Sequence, residues 1–352
     1  MAAQSRVGLD LTLRLTIRGD YSAGFSFHDP VSAVVLATGV VALADSHAGN
    51  VLFFERDGSP LRVAGRNGDG PGEFRHVLWL GNCAGDSVHV WDPVRRLLVV
   101  LGPRGDFVRE FRLAIAGTSY TPFTLSCSRG GVLAFQPQPR PDPGTAAARF
   151  SRGVAPVVVT DAALTRIEVI PDVPSTEVVL VGGGGVPRPL GKGTLVAAGT
   201  DQLVLGTSDS ASIVRYARDG RRISSGTAGV AGRTPTTASY ARAVEEIVGN
   251  IRGVRMSGIV RDRLLSVSPP DGLPPYRAVF LDPRGNVWVD VAAPGETSSL
   301  LEVTDPAGQP LGRFHLPGVT RVTHVGDDSL VGVALTADGA QLRVYTVRRL
   351  GN

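Results

Sequence analysis

The sequence predicts an all-β fold built from repeated strand units, and three observations support this expectation. Gly and Pro account for 44 and 25 of the 352 residues, which is too many for a helical bundle because both residues break helices. Apolar residues make up 43% of the chain, more than a disordered protein carries. Short apolar segments separated by glycine-containing turns recur along the chain, as in consecutive β-hairpins.

One unit of this kind occurs six times. It contains an apolar strand that often ends in Asp, a short turn, a second strand, an Asp-Gly-like turn and a third strand. The units lie at 40–63, 88–113, 132–170, 203–220, 287–316 and 330–345. Six units predict a six-bladed β-propeller, because radial repetition protects most strand edges. We expect one propeller domain over residues 1–352.

The N-terminal segment 9–17 predicts how the ring closes. Leu11, Leu13, Leu15 and Ile17 alternate with polar residues, as in a half-buried strand. The sixth unit ends the chain without an outer strand. We therefore expect segment 9–17 to supply the outer strand of the last blade.

Two segments resemble a known family. Residues 65–74 read G-R-N-G-D-G-P-G-E-F, and residues 281–289 read L-D-P-R-G-N-V-W-V. Both are similar to stretches of the NHL-like six-bladed β-propellers of bacteria. The resemblance covers the whole chain in outline and implies the fold, but it implies no particular chemistry.

Two long interruptions break the repeat. Residues 136–156 lie inside the third blade, and residues 228–275 lie between blades 4 and 5. Strand parity places both on one face of the disc, together with 20–30 and 66–74, and we call this the long-loop face. Long loops in compact domains are often functional. The glycine-rich segment 182–185 is interpreted as a flexible crossing.

The second interruption predicts one short helix. Thr234 and Pro235 suit its first turn, and Gly249 with Asn250 suits its end. Tyr240, Val244, Ile247 and Val248 would form an apolar stripe that packs on the disc. The sharper interpretation is a helix that covers the channel mouth or docks a partner.

The function is predicted less directly than the fold. The preferred hypothesis is a non-enzymatic protein-binding or assembly propeller, such as an extrinsic subunit of a membrane-associated complex. It would bind another protein or protein complex through the long-loop face, with Arg149, Arg152, Tyr240 and Arg252 as candidate contacts. The alternative is a hydrolase or lyase with its active site at the central channel.

Charge and hydropathy exclude two other classes of partner. The formal net charge is +4, and Lys192 is the single lysine among the basic residues. Arginines alternate with acids and form no run of like charges, so we expect no nucleic-acid binding. No stretch of eighteen apolar residues occurs, so we expect no transmembrane segment. The chain is either cytoplasmic or, if a signal peptide was removed, extracytoplasmic.

No cofactor or metal motif stands out. Segment 65–72 lacks the Lys-Ser/Thr of a phosphate-binding loop, so we expect it to connect two blades, with glycines at positive φ and Phe74 between the blades. His28, His47 and His76 fall on the long-loop face, where a shared metal or acid–base site is the weaker alternative to ordinary exposed histidines. Asp45, Asp92 and Asp290 each end a second strand, and this recurrence predicts a structural role in the turns.

Cys83 and Cys127 occupy equivalent positions in adjacent blades. Each precedes the apolar strand of its repeat by the same spacing, on the face opposite the long loops. Two interpretations stay open. The pair forms a disulfide if the compartment is oxidising, or both are small buried residues.

Overall fold

A computed structural model describes residues 8–20, 25–115, 118–119, 121–138, 150–165, 167–182, 184–249, 251 and 254–350. The fold is all-β, as expected, with two helices in the described part of the chain. Among these residues, neither helix has the length and apolarity that crossing a membrane would require.

The strands follow one another in a regular series. In chain order they are β1 (Gly8–Arg18), β2 (Pro30–Val35), β3 (Val41–Asp45), β4 (Asn50–Phe54), β5 (Pro60–Ala64), β6 (Trp79–Cys83), β7 (Ser87–Asp92), β8 (Leu97–Leu101), β9 (Phe107–Phe111), β10 (Ala114–Ile115), β11 (Thr118–Ser119), β12 (Pro122–Cys127), β13 (Val132–Pro137), β14 (Phe150–Ser151), β15 (Val154–Asp161) and β16 (Ile167–Pro174). They continue as β17 (Val178–Val181), β18 (Gly184–Pro187), β19 (Leu195–Ala198), β20 (Gln202–Gly206), β21 (Ser212–Ala217), β22 (Arg222–Thr227), β23 (Ala278–Leu281), β24 (Val287–Asp290), β25 (Ser299–Thr304), β26 (Pro310–Leu316), β27 (Val319–Val325), β28 (Ser329–Thr336) and β29 (Gly339–Leu350). The helices α1 (Thr237–Gly249) and α2 (Val254–Leu265) lie between β22 and β23.

Most strands belong to antiparallel four-stranded sheets. We number these sheets 1 (β2-β3-β4-β5), 2 (β6-β7-β8-β9), 3 (β12-β13-β15-β16), 4 (β19-β20-β21-β22), 5 (β23-β24-β25-β26) and 6 (β27-β28-β29-β1). The first strands β2, β6, β12, β19, β23 and β27 contact one another in that order, and β27 contacts β2 again. The sheets therefore surround an axis, as in a β-propeller.

The hydrophobic core is divided among the contacts between neighbouring sheets. Phe53 of sheet 1 and Leu101 of sheet 2 share one buried cluster, and Trp288 of sheet 5 and Leu330 of sheet 6 share another. Every other neighbouring pair of sheets shares such a cluster, including sheets 6 and 1. Middle strands such as β4 and β8 are buried on both faces, which explains why they are almost entirely apolar.

The N-terminal strand β1 pairs with the last strand of the chain. It runs antiparallel to β29, from Gly8 opposite Leu350 to Arg18 opposite Gln341. Ile17 is buried between sheets 6 and 1, whereas Leu13 is half exposed. The pairing register shifts between Leu13 and Leu15, so Leu9 and Leu11 contact the cluster between sheets 5 and 6, whereas Leu15 and Ile17 contact the cluster between sheets 6 and 1.

The aspartates that end second strands organise the turns of the long-loop face. The Asp45 carboxylate accepts hydrogen bonds from the backbone N–H groups of His28, Asp29, His47 and Ala48 at 2.9–3.4 Å. Asp92 holds the corresponding groups of the next sheet in the same way. In sheet 5, Asp290 accepts from two backbone N–H groups and from the Arg277 side chain. The structural role expected for these residues is confirmed.

The glycine-rich segment 65–74 connects sheets 1 and 2, as expected. Gly65 has a φ of 79°, and a Cβ atom there would lie 2.3 Å from the Phe74 ring. Phe74 is fully buried in the cluster between the two sheets. Glycine is needed here both for the positive φ and for the close approach of the ring.

Three expectations about the connections between strands require correction. The first helix begins at Thr237 rather than at residue 235, because Thr236 is its N-cap and accepts a hydrogen bond from the Ser239 N–H at 3.0 Å. A second helix, α2, follows it and was not expected. The presumed flexible crossing at 182–185 includes the turn of a hairpin, because β17 pairs with β18 and with β14.

Candidate functional site

A central cavity of about 660 Å³ is lined by residues of the first strands of the six four-stranded sheets. Side chains of these strands also bridge neighbouring sheets. Ser32 donates to the Leu80 carbonyl at 2.9 Å, and Thr323 donates to the Ala33 carbonyl at 3.0 Å. The wall is therefore fixed by hydrogen bonds between sheets as well as within them.

The structure joins Cys83 of β6 to Cys127 of β12 by a disulfide. This bond bridges sheets 2 and 3 at the end of the cavity opposite the long-loop face. Gly81 permits it, because a Cβ atom at that position would lie 2.8 Å from the Cys127 sulfur.

Arg321 places a positive charge inside the cavity. Its Nη2 donates to the Pro30 carbonyl at 2.7 Å, and no described carboxylate lies within 4.0 Å of it. The side chain is exposed, yet burial is the main influence on its pKa and lowers it. Its exposure and the effect of burial on its pKa are compatible, because the side chain lines a cavity that is accessible yet surrounded by protein. Glu246 and Asp29 are near enough to raise this pKa in part.

Two polar side chains on the cavity wall have unpartnered atoms. Asn82 is 5% exposed, and neither its Oδ1 nor its Nδ2 has a hydrogen-bond partner among the described groups. The His324 Nε2 is likewise buried without a partner. Burial, and secondarily Arg129, lowers the pKa of His324 to about 4, so the ring is neutral at pH 7. Each such atom costs about 1–3 kcal/mol of desolvation.

Paired charges surround the opposite end of the cavity. Arg129 lies 3.3 Å from Asp86 and 3.9 Å from Asp327, and Arg284 lies 4.0 Å from the second oxygen of Asp327. These side chains are partly exposed, so the pairs contribute little to stability. They do balance the charge at this end of the cavity, whereas Arg321 has no carboxylate in contact with it.

The interruptions build a second layer on the long-loop face. The three-stranded sheet β14-β17-β18 contacts α2, which packs against α1. We call this unit the accessory layer. It has a hydrophobic cluster of its own, with Val179, Leu190, Tyr240, Val244, Val248, Val260, Leu264 and Val267 buried together. The two helices are also linked by an Arg261–Glu245 pair at 2.6 Å.

One helix of the accessory layer exposes apolar side chains. On α2, Val260 and Leu264 are buried, while Met256 and Ile259 are 53% and 48% exposed. Residues three apart in a helix are neighbours on its surface, so Met256 and Ile259 form one apolar patch. We call this pair the α2 patch.

The structure describes two of the four predicted contact residues, Tyr240 and Arg152. Tyr240 is 5% exposed and its hydroxyl lies 3.0 Å from the carbonyls of Leu264 and Val267, so it packs inside the layer and offers no surface to a partner. Arg152 donates to the carbonyls of Ser175 and Thr207 and pairs with Asp209, which gives it a bracing role. Arg149 and Arg252 lie outside the described residues.

The three histidines of the weaker metal hypothesis have different surroundings. His28 and His47 have ring centroids 5.7 Å apart, whereas His76 is buried in the connection between sheets 1 and 2. Among the described residues, no group of three or more His, Cys, Asp or Glu side chains could hold a metal ion.

Sequence reasoning missed α2, the hairpin β17–β18 and the polar residues of the cavity. The signal for the cavity was faint but present: Arg321 and His324 stand in an inner strand that otherwise contains only valine and threonine. Asn82 carried no comparable signal, since it follows a glycine in an ordinary strand.

Comparison with known proteins supports the fold. No family model and no curated protein matches the chain. A member of the DUF4221 family from Bacteroides vulgatus aligns with a TM-score of 0.57 and 12% identity, covering 99% of this chain and 100% of that one. A predicted exported protein of Bacteroides fragilis aligns with a TM-score of 0.55 and 13% identity, covering 97% and 96%. The virginiamycin B lyase of Staphylococcus aureus aligns at 0.47 and 10% identity over 96% and 99%, too low a score to bear on function. At these identities the chain is similar in fold to the two Bacteroides proteins.

Proposed function

We propose that the protein is a non-enzymatic binding propeller that docks another protein on its accessory layer. The observation that carries this proposal is the separate hydrophobic cluster of that layer, formed by the connection between sheets 3 and 4 and the connection between sheets 4 and 5. A segment that only connects two sheets needs no hydrophobic core of its own. A rigid layer that presents a fixed surface does need one.

The supporting disc is part of the proposal. We infer that the six four-stranded sheets are six blades and that the β1–β29 pairing closes the ring. The cyclic contacts of the inner strands and the shared clusters between neighbouring sheets support this inference. The NHL-like resemblance of residues 65–74 and 281–289 is consistent with it.

The docking surface we propose is the α2 patch. Met256 and Ile259 project from a helix that is anchored by its buried residues Val260 and Leu264. Arg263, on the same face as the patch, adds a hydrogen bond to the Leu180 carbonyl at 3.1 Å. An apolar pair on a fixed helix can enter a pocket of a partner with little loss of side-chain freedom. The partner is accordingly a protein with an apolar groove.

The cavity favours binding over proton transfer. Arg129 and Asp327 are paired, and Asp282 accepts hydrogen bonds from Asn286 and Trp288. A pKa of about 4 for His324 lies well below that of a general base suited to neutral pH. These features weigh against the hydrolase or lyase alternative.

We infer an oxidising, extracytoplasmic compartment. The Cys83–Cys127 disulfide supports this, because disulfides persist mainly outside the cytosol. The similarity in fold to a predicted exported protein is consistent with it. In such a compartment the disc would serve as an extrinsic subunit of a membrane-associated complex. Alkylation of the unreduced protein from its host should leave both thiols unmodified.

The test is site-specific photocrosslinking in the native host. A photoreactive amino acid at Ile259 should give crosslinks to one protein, which mass spectrometry identifies. The matched control is the same group at Ile167, which is 40% exposed on the outer strand of sheet 3 and should give none of that product. The proposal would be contradicted if the same partner were crosslinked equally from Ile259 and from Ile167, or if Ile259 gave no crosslink.

A further inference from the structure

We propose that the central cavity binds a small organic carboxylate, with Arg321 holding the carboxylate and Asn82 and His324 hydrogen-bonding the other end of the molecule. This site is separate from the α2 patch. The proposal rests on three features of the cavity wall.

The first feature is the uncompensated charge of Arg321. Its Nη2 donates to the Pro30 carbonyl, the residue lines the cavity, and no described carboxylate is in contact with it. Its cationic neighbour, Arg277, is paired with Asp290 at 2.9 Å and also donates to the Ser298 carbonyl. An enclosed charge with no counterion is unfavourable, and an anionic ligand would supply the counterion.

The second feature is the pair of unpartnered groups deeper in the cavity. The Asn82 amide offers a donor and an acceptor, and the neutral His324 ring offers one nitrogen. Native proteins seldom leave buried polar atoms unsatisfied, and those that remain frequently serve ligands. The two residues stand on β6 and β27, so a molecule between them would also touch the intervening strand β2.

The third feature is the geometry, which limits the ligand. Arg321 and His324 are three residues apart on β27, or about 10 Å along a strand. The cavity of about 660 Å³ lies in the range of ordinary small-molecule sites. Glu246 and Asp29 lie within electrostatic range of Arg321 and would repel a dianion. A monocarboxylate with an amide or hydroxyl group at its far end therefore fits better than a phosphate ester.

The experiment uses 6-acetamidohexanoate as the probe, because its carboxylate and amide are separated by a distance of this order. Its neutral analogue, 6-acetamidohexanamide, is the control ligand. Calorimetry on the full chain should show that the carboxylate binds at least about tenfold more tightly than the amide. Arg321→Met should remove this preference, Asn82→Leu should weaken both ligands, and Arg313→Met, on an exposed outer strand, should change neither.

A second measurement separates ligand binding from a structural role. Without ligand, Arg321→Met should unfold at a temperature equal to or above that of the wild type, because it removes an unpaired enclosed charge. If Arg321 only braces the Pro30 carbonyl, this variant should unfold at a lower temperature. The proposal is overturned if the probe does not bind, if both ligands bind the wild type equally, or if Arg321→Met is destabilised while its preference for the carboxylate is unchanged.

Discussion

Arg188 and Glu177 form an ion pair in the accessory layer, with 3.1 Å between Nη1 and Oε2 and both side chains almost fully buried. Arg188 also donates to the Ser268 carbonyl at 2.9 Å, and its guanidinium lies 3.8 Å from the centre of the Phe150 ring. These partners come from three different connections. Arg188 is therefore the residue at which the interruptions of the propeller meet.

Replacing this arginine should destabilise the layer. Arg188→Met leaves the Glu177 carboxylate buried without its partner, and we expect a loss of about 3 kcal/mol in the free energy of unfolding. Chemical denaturation followed by circular dichroism measures it. The matched variant Arg313→Met breaks an exposed pair with Glu302 and should cost less than about 1 kcal/mol. Similar losses of unfolding free energy for the two variants would show that the buried pair contributes no more to stability than the exposed pair.

The strands and their turns could be predicted because their signals are local. Each hairpin shows its alternation and its turn glycine within about a dozen residues, and Asp45, Asp92 and Asp290 mark equivalent positions. The third repeat is weaker, because Pro137 stands opposite Pro122 where Asp45 stands opposite Pro30 in the first repeat. Radial repetition then follows from the number of units.

The candidate sites could not be predicted, because they arise where distant segments meet. Neither Arg188 nor Glu177 belongs to a motif, and their partners are known only once the layer has folded. The helix α2 contains Gly258 and four charged residues, so its helical signal is weak. Asn82 and Arg321 come from opposite ends of the chain and share a cavity only after the ring forms.

The N-terminal strand should contribute to the stability of the whole ring. Ile17→Ala removes a buried side chain between sheets 6 and 1, and we expect a loss of about 3 kcal/mol. Leu13→Ala, at a half-exposed position of the same strand, should change stability by no more than about 0.5 kcal/mol. Thermal unfolding of both variants provides the comparison. An equally small effect of Ile17→Ala would argue that β1 is not integrated into sheet 6.

The disulfide should stabilise the chain mainly by restricting its unfolded state. Cys83 and Cys127 are 44 residues apart in sequence, for which chain-entropy reasoning predicts about 4 kcal/mol. The double variant Cys83→Ala/Cys127→Ala should lose this amount relative to the oxidised protein, as measured by denaturant titration. Adding a reductant should then affect only the wild type. A double variant as stable as the oxidised protein would mean that the bond does not form in solution.

His324 should make stability fall in mild acid. Its pKa is lowered from 6.5 to about 4 in the folded protein, so the unfolded chain binds more protons between these values. Stability is therefore complete above pH 6.5 and declines toward pH 4, by about 3 kcal/mol for this residue. His89 has a similarly lowered pKa and adds to the decline.

Denaturation curves of His324→Gln across this range test the assignment. The variant should show a shallower decline than the wild type, whereas His315→Gln, an exposed substitution, should keep the wild-type profile. Superimposable profiles for His324→Gln and the wild type would show that His324 is not shielded in the folded protein.

The central claim is that the α2 patch docks a protein. The most direct measurement is the affinity of the crosslinked partner, produced separately, for three forms of the chain. Met256→Glu/Ile259→Glu should weaken binding by at least about tenfold, because two apolar contacts are replaced by charges. The control Ile167→Glu/Val169→Glu alters two exposed apolar residues of β16 and should bind like the wild type. An unchanged affinity of the α2 variant, with its fold intact by circular dichroism, would contradict the account.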